Sequence, residues 1–218
     1  MNSGFVPESP DLPALNTLGQ VAPESIVSDA FIENAMLTTD VSIEDGARRV
    51  AFHGVRAGGG AFAGSALPGL SLTDCVFDQA DMSGSTWIDA RIVRTVFEGC
   101  KQTGFDARGA ELRDVVFREC KAPACNLSET SITRVVFENC RVTDLDLSGS
   151  RIESLRCRGC DLRNLRLTGA KIELLDLRGC EVLGIAIQPA AMGGVVIETT
   201  QSPAIAAAAG VRVMDDWL

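Results

Sequence analysis

The side chains best suited to chemistry in this sequence are eight cysteines and a single histidine, His53. One histidine excludes any metal site that needs two, and nothing around His53 suggests a catalytic triad. Cys157 and Cys160 have the spacing of half a zinc site, but no second pair follows at motif spacing. The glycine triplet at residues 58–60 lacks the Gly-Lys-Ser/Thr of a phosphate loop. We therefore expect no catalytic residue, no metal and no cofactor.

The charge balance limits the function classes further. The chain has 29 acidic and 20 basic residues, a formal net charge of −9. Direct nucleic-acid binding needs a basic footprint, so we do not expect it. Residues 1–50 carry eight of the acids against two arginines, which places most of the imbalance near the N-terminus.

Neither end of the chain predicts a targeting or membrane segment. The first residues lack a basic region followed by a continuous apolar run, and the charge-free stretch at 182–197 includes Gln188 and Pro189. We expect a soluble cytoplasmic protein, no membrane partner, and cysteines that remain thiols.

A period of five residues organises the chain from Ala47 to Ile197. Every fifth residue from Ala47 onward is apolar at 30 of 31 positions, and Gln102 is the exception. If the register is moved by one residue, so that it runs from 78 to 198, only three of its 25 positions are apolar. If it is moved by two, from 79 to 199, glycine fills ten of the 25. This period fits neither a helix nor a strand, so it predicts a chain that turns inward once per five residues.

A second period of 20 residues lies on the first and predicts a coil with four sides. Residues of one type recur at this spacing and would stack directly above each other, as in a solenoid. They are Phe77, Phe97, Phe117 and Phe137, and Cys100, Cys120, Cys140, Cys160 and Cys180. We predict that both ladders fill the narrow core, where cysteine serves as a small apolar residue. Disulfides or a bound metal are the alternative for stacked thiols.

Several pentads share a small or apolar residue, Asp, a large apolar residue, a polar residue and often Gly. Examples are residues 80–84 (ADMSG), 145–149 (LDLSG), 160–164 (CDLRN) and 175–179 (LDLRG). In this pattern the chain resembles the pentapeptide repeat proteins over about residues 47–199. The resemblance implies an all-β fold, a right-handed quadrilateral β-helix, with a short C-terminal helix and tail. Residues 1–46 would form an irregular acidic N-terminal arm or cap, and residues 200–218 the C-terminal helix and tail.

A solenoid exposes unpaired backbone at both ends and therefore needs caps. Ser202 and Pro203 suit the N-cap and first position of a helix over Ala204 to Ala209 that stops at Gly210. The resemblance implies a homodimer formed through the C-terminus, and an intramolecular cap is the alternative. The candidate dimerisation residues are Val211, Val213, Met214, Trp217 and Leu218.

The outward charges differ among the four faces of the predicted rod. The Trp face, centred on the column that begins at Trp87, presents Asp89, Asp106, Glu129 and Asp146. The Phe face, centred on the Phe77 column, presents Asp78, Glu98, Glu119 and Glu138. The basic face, centred on the Met82 column, presents Lys101, Lys121, Arg141 and Arg163. The fourth is the Ile face, centred on the Ile92 column. Spaced carboxylates can imitate a phosphate backbone, although charged outward residues also serve solubility alone.

The resemblance extends to family members of the Qnr and mycobacterial gyrase-inhibitor types, which mimic DNA and bind bacterial type II topoisomerases. It implies a non-enzymatic partner of DNA gyrase or topoisomerase IV that uses the eight carboxylates of the Trp and Phe faces. The five-residue frame has no projecting loop, which is closer to the simple inhibitors than to the Qnr type. The alternative is a scaffolding solenoid that binds another protein through its tail or an outward valine stripe, Val76, Val96, Val116 and Val136.

Overall fold

The computed structural model describes residues 6–14, 18, 25–37, 41–60 and 62–212. Over these ranges the chain forms a mostly parallel β-solenoid of about eight turns with a short helix near the C-terminal end, which confirms the predicted fold. The strands of the described ranges are β1 Ser25–Ile26, β2 Phe31–Glu33, β3 Met36–Leu37, β4 Ser42–Ile43, β5 Ala51–His53, β6 Arg56–Gly58, β7 Ser71–Asp78, β8 Arg91–Glu98, β9 Glu111–Arg118, β10 Ser131–Glu138, β11 Arg151–Ile152, β12 Leu155–Arg158, β13 Lys171–Ile172, β14 Leu175–Asp176 and β15 Val195–Val196.

Parallel pairing at a separation of 20 residues holds successive coils together. Phe77 in β7 is paired with Phe97 in β8, which is paired with Phe117 in β9. On the other two faces the pairing is reduced to single bridges, such as Asp106 with Asn126. The 20-residue period is therefore one turn of the coil.

The chain turns its corners with residues in the left-handed region. The eight-residue strands β7 to β10 each run across the Ile face and the Phe face, with one such residue at the bend, as at Asp74 (φ 55°). Corners elsewhere use glycine, for example Gly104 (φ 65°), or a polar residue, for example Asp89 (φ 56°). Glycine reaches this region without a steric penalty and Asp and Asn tolerate it, which explains the glycine-rich register of the sequence.

The Phe ladder lies in the core, as predicted. Phe97 and Phe117 stack with ring centroids 4.9 Å apart and an interplanar angle of 7°. Phe117 and Phe137 stack at 4.5 Å and 8°. Trp87 is fully buried and crosses Phe105 edge to face. The planar stacking follows from the coil geometry, because parallel coils lie about 4.8 Å apart.

The Cys ladder is also buried, and all eight cysteines are free thiols. The Cys120 thiol donates to the carbonyls of Phe97 and Arg118, both at 3.3 Å, and the same pattern recurs at the neighbouring rungs. Cys157 and Cys160 belong to this core, at 2% and 3% exposure. The thiols therefore serve packing and satisfy backbone carbonyls.

Gln102, the one polar residue in the inward register, is buried with the rest at 1% exposure. Its side-chain Nε2 has no hydrogen-bond partner within the described part of the chain. Met82 precedes it and Ala122 follows it in the same column, and both are buried. A buried amide nitrogen without a partner costs free energy that an apolar side chain would not.

The coil begins upstream of Ala47, where the sequence frame placed its first pentad. Strand β2 is paired with β5, Phe31 lying beside Ala51, and β3 is paired with β6. Part of the predicted N-terminal arm thus belongs to the solenoid. The five-residue frame does not detect this turn for two reasons. Ser42 occupies the inward register but is polar and exposed. Its strand β4 is paired with β1 at a spacing of 17 residues instead of 20.

The C-terminal end closes the last coil with a buried glutamine. A 3-10 helix over Thr199–Gln201 leads into α1, Ser202–Ala208. The side-chain Nε2 of Gln201 donates to the carbonyls of Leu177 and Cys180, both at 2.7 Å. Gln201 is also the N-cap residue of α1, so the prediction of Ser202 for that position is wrong. Gln201 therefore caps this end within the chain, because its side chain satisfies two carbonyls of the open coil edge.

The final coil also departs from the regular pentads. A 3-10 helix over Pro189–Gly194 occupies one side of it, so the frame predicted to continue unbroken to Ile197 is interrupted there. Met192, in the inward register, is only half-buried. Proline has no backbone N–H to donate to a ladder, which accounts for the change of structure.

Candidate protein-binding surfaces

The eight carboxylates predicted to face a partner fall into two groups of four. Those of one group are exposed and form no ion pair within the described residues: Asp78, Asp89, Glu119 and Glu129. Those of the other are half-buried and each is paired with an arginine: Asp106, Asp146, Glu98 and Glu138. Only the first group keeps its full charge available to a partner.

On the Trp face, arginines neutralise the two carboxylates that lie flat against the coil. Asp106 is paired with Arg108 at 3.0 Å and Asp146 with Arg166 at 3.1 Å. Burial raises the pKa of Asp146, but the Ser148 hydroxyl and backbone N–H and the Arg166 charge outweigh it, so the pKa is lowered overall. Asp89 and Glu129 lie at left-handed corners of the same face, with φ of 56° and 59°, and are exposed.

On the Phe face, an arginine divides the acidic column. Arg118 lies one coil from Glu98 and one from Glu138, and its guanidinium contacts both carboxylates at 3.4 Å and 3.2 Å. The hydrogen bond to Glu138 contributes most to raising the pKa of Arg118. The acidic Phe face predicted from the sequence is therefore broken at its centre. The 20-residue spacing of these three residues could have revealed this.

The basic face carries a stack of three cations. Bridges join Lys101 to Lys121 and Lys121 to Arg141, so these exposed residues lie directly above one another. None of the three forms an ion pair within the described ranges, whereas Arg163 is paired with Asp161 at 2.7 Å. The rod thus has one basic face between its acidic edges.

The valine stripe is less exposed than the sequence suggested. Val76, Val96 and Val116 are directly paired across the coils but half-buried, and Val136 is buried at 8% exposure. The stripe is flanked at its two ends by Arg56 and Arg156. Such a surface does not resemble an open apolar patch for a partner.

A column of charged residues that was not predicted from the sequence follows one bend of the coil. We name it the Asp/Arg column: Asp74, Arg94, Asp114 and Arg134. These residues occupy the left-handed bend between the Ile and Phe faces, and charges of opposite sign alternate from coil to coil. Arg94 donates to Asp74 through Nε and Nη2 at 2.7 and 2.5 Å, and Arg134 donates to Asp114 at 2.6 Å through both nitrogens. The alternation at 20-residue spacing was visible in the sequence.

The N-terminal segment, residues 6–14, lies on this column. The backbone N–H of Glu8 donates to Asp114 Oδ1 at 3.1 Å, and that of Asp11 donates to Asp74 Oδ1 at 3.0 Å. The side chains of Asp74 and Asp114 are only 3% and 2% exposed. Burial raises the pKa of both carboxyls, but the arginine and the backbone N–H outweigh it and lower the pKa overall.

Of the five residues predicted to form a dimer interface, Val211 is described and is 56% exposed. Val213, Met214, Trp217 and Leu218 lie outside the described residues. The described helices include none that is both long enough and apolar enough to cross a membrane. Within the described ranges no group of three or more His, Cys, Asp or Glu residues is arranged to hold a metal ion.

Comparison with known proteins bears out the repeat. Residues 110–149 match the family model "Pentapeptide repeats" in eight copies. A search of curated proteins finds no match. Among solved structures, the chain is similar to HetL, a pentapeptide repeat protein involved in heterocyst differentiation regulation in Nostoc sp. strain PCC 7120. The identity is 14% and the TM-score 0.44, over 78% of this chain and 90% of that one.

It is also similar to full-length QnrB1, a plasmid-mediated fluoroquinolone resistance protein. The identity is 17% and the TM-score 0.27, over 86% of this chain and 95% of that one. At these values neither likeness assigns a function. The family match over residues 110–149 agrees with the five-residue period and the stacked coils, so the chain has the architecture of pentapeptide repeats.

Proposed function

We propose that this protein is a non-enzymatic rod that binds a bacterial type II topoisomerase, DNA gyrase or topoisomerase IV, in the cytoplasm as a DNA mimic. The supporting observation is the group of four exposed carboxylates without ion pairs, Asp78, Asp89, Glu119 and Glu129. We name them the free carboxylates. They are the groups that can attract the basic residues of a DNA-binding groove without first losing an internal partner.

The spacing of the free carboxylates sets how closely the rod imitates DNA. Asp89 and Glu129 lie two coils apart on one corner, a separation of about 9.6 Å. Phosphates on one DNA strand follow each other about every 3.4 Å along the axis, so this corner carries about one charge for three phosphates. The mimicry is therefore sparse. Because its charges are exposed and screened by salt, we expect the affinity for the partner to fall as salt increases.

A supercoiling assay with purified gyrase tests the proposal. The wild type should inhibit supercoiling or protect the enzyme from a topoisomerase poison. The double variant Asp89→Asn/Glu129→Gln should lose at least about tenfold in potency, a loss of about 1.4 kcal/mol. Glu181→Gln, an exposed acid on the basic face, is the control and should change potency little. No effect of the wild type at micromolar concentration would contradict the topoisomerase proposal.

A second candidate is a scaffolding solenoid that binds a different protein. The observation in its favour is the pairing of every second carboxylate with arginine, as at Arg118 and Arg166, which leaves no face uniformly negative. A scaffold would bind its partner with weak salt dependence and would not affect gyrase. The same assay therefore separates the two candidates.

The proposal includes a homodimer formed through the C-terminal tail. Val211 supports it, because it is exposed at the point where α1 has ended. Sedimentation of the wild type should give twice the monomer mass, and Val211→Asp should shift it to the monomer. A wild type that sediments as a monomer at high micromolar concentration would contradict the dimer.

A further inference from the structure

The N-terminal segment has a three-residue period that the coil does not share. Proline occupies positions 7, 10 and 13, and all three prolines are half-buried. Between them Glu8, Ser9 and Asp11 are exposed, and Leu12 is half-buried beside Pro13. Three half-buried prolines at every third residue fit a polyproline II helix with one edge against a surface, since that helix has three residues per turn.

The contacts of the segment repeat with the same period. Glu8 and Asp11, each directly after a proline, donate their backbone N–H groups to Asp114 and Asp74. Three residues of polyproline II rise about 9.3 Å. Two coils of the solenoid rise about 9.6 Å. One turn of the segment therefore advances by one Asp-to-Asp step of the Asp/Arg column.

The alternation of charge in the column fits this match. Each carboxylate accepts two bonds from the arginine of the next coil and keeps one position on Oδ1 for a backbone N–H. The arginines neutralise the carboxylates, so an uncharged backbone can dock without leaving a buried charge unpaired. The column recognises main-chain N–H groups at a fixed spacing, and the negative charge of Glu8 adds an electrostatic attraction to Arg94 and Arg134.

We propose that the Asp/Arg column is a docking surface for a proline-rich segment in the polyproline II conformation, with proline at every third residue. The chain's own residues 7–13 are the resident occupant, and a segment of the same spacing from a partner protein binds by displacing it. This surface lies apart from the free carboxylates and does not depend on topoisomerase binding.

The test weakens the resident segment and leaves the coil untouched. In the full chain, Glu8→Pro with Asp11→Pro removes both N–H donors while keeping the polyproline II conformation. Ser9→Pro is the matched control, because the backbone N–H of Ser9 makes no hydrogen bond within the described residues. The probe is a fluorescent peptide with the sequence of residues 6–14, VPESPDLPA, followed by anisotropy.

We expect the peptide to bind the double variant at least tenfold more tightly than it binds the wild type or Ser9→Pro. Adding Asp114→Asn to the double variant should reduce that binding, because Asn offers a weaker acceptor in place of the carboxylate. A peptide with its three prolines replaced by alanine should bind more weakly. Thermal unfolding confirms that each variant is folded.

Three results would overturn the proposal. The first is the absence of peptide binding to the folded double variant. The second is equal binding to the double variant, the wild type and Ser9→Pro, which would show that the peptide binds elsewhere or that the segment does not compete. The third is equal binding of the alanine-substituted peptide, which would exclude recognition of polyproline II.

Discussion

Arg118 Nε donates to Glu138 Oε2 at 3.2 Å across one turn of the coil. The same guanidinium also contacts Glu98 on the turn below. The sequence presents these carboxylates as part of an acidic face, and the structure shows that one cation holds both. The availability of a charge on this rod therefore depends on what lies one turn above and below it.

Removing this cation should strengthen any DNA mimicry. Arg118→Gln frees Glu98 and Glu138, so we expect stronger inhibition of gyrase in the supercoiling assay. The pairs are partly exposed, so the free energy of unfolding should change by no more than about 1 kcal/mol. Arg108→Gln tests the same effect on the Trp face, where it frees Asp106. Unchanged inhibition in both variants would show that these faces do not meet the partner.

Replacing Gln102 with methionine should stabilise the protein. The Nε2 of Gln102 is buried without a partner in the described residues, so its removal should raise the free energy of unfolding by about 1–3 kcal/mol. Gln201→Met should instead lower the free energy of unfolding, because the Gln201 amide donates to two carbonyls of the last coil. Denaturant unfolding of both variants measures the contrast, and destabilisation by Gln102→Met would contradict it.

Alanine at a left-handed corner should cost stability where alanine elsewhere does not. Gly104 has φ of 65° and open space around its Cα, so Gly104→Ala should lose about 1–2 kcal/mol through backbone conformation alone. Gly193 also has open space but lies outside the left-handed region, so Gly193→Ala is the matched control. Equal free energies of unfolding for the two variants would contradict this account of the corners.

Acid should weaken the Asp/Arg column before it affects the Phe ladder. The pKa values of Asp74 and Asp114 are lowered in the folded chain, so their stabilisation is present above the ordinary carboxyl value of about 3.9. It is lost as the pH falls below that value and through the folded pKa. The melting temperature of the double variant Asp74→Asn/Asp114→Asn should therefore fall by less between pH 7 and pH 3 than that of the wild type. Parallel losses would contradict the prediction.

The cysteines should be unreactive until the coil unfolds. All eight thiols are buried, so a reagent cannot reach them in the folded coil, and burial also raises the pKa of Cys75 and of Cys125 to about 12. In Ellman's assay at pH 8 the native protein should react slowly, and all eight thiols should react in denaturant. Rapid reaction of several thiols in the native protein would show that the Cys ladder is accessible.

Much of the fold could be predicted because the pattern is strictly periodic. Phe77 to Phe137 and Cys100 to Cys180 lie in the core, as their spacing indicates. The first turn was missed because Ser42 occupies the inward register and its strand is paired at a shorter spacing. The role of Gln201 was missed because its two acceptors are 24 and 21 residues away and belong to an end of the coil that no period marks.

The sequence by itself determined the solenoid, because a five-residue apolar period, with glycine often two places after the inward residue, allows a chain that turns at every corner. Only the tertiary structure decided which charges remain free. Asp106 and Asp89 are both acids of the Trp face, yet one lies flat beside Arg108 and the other projects from a left-handed corner. It also decided where the N-terminal segment lies, because that contact depends on a match between two rises, about 9.3 Å and about 9.6 Å, in distant parts of the chain.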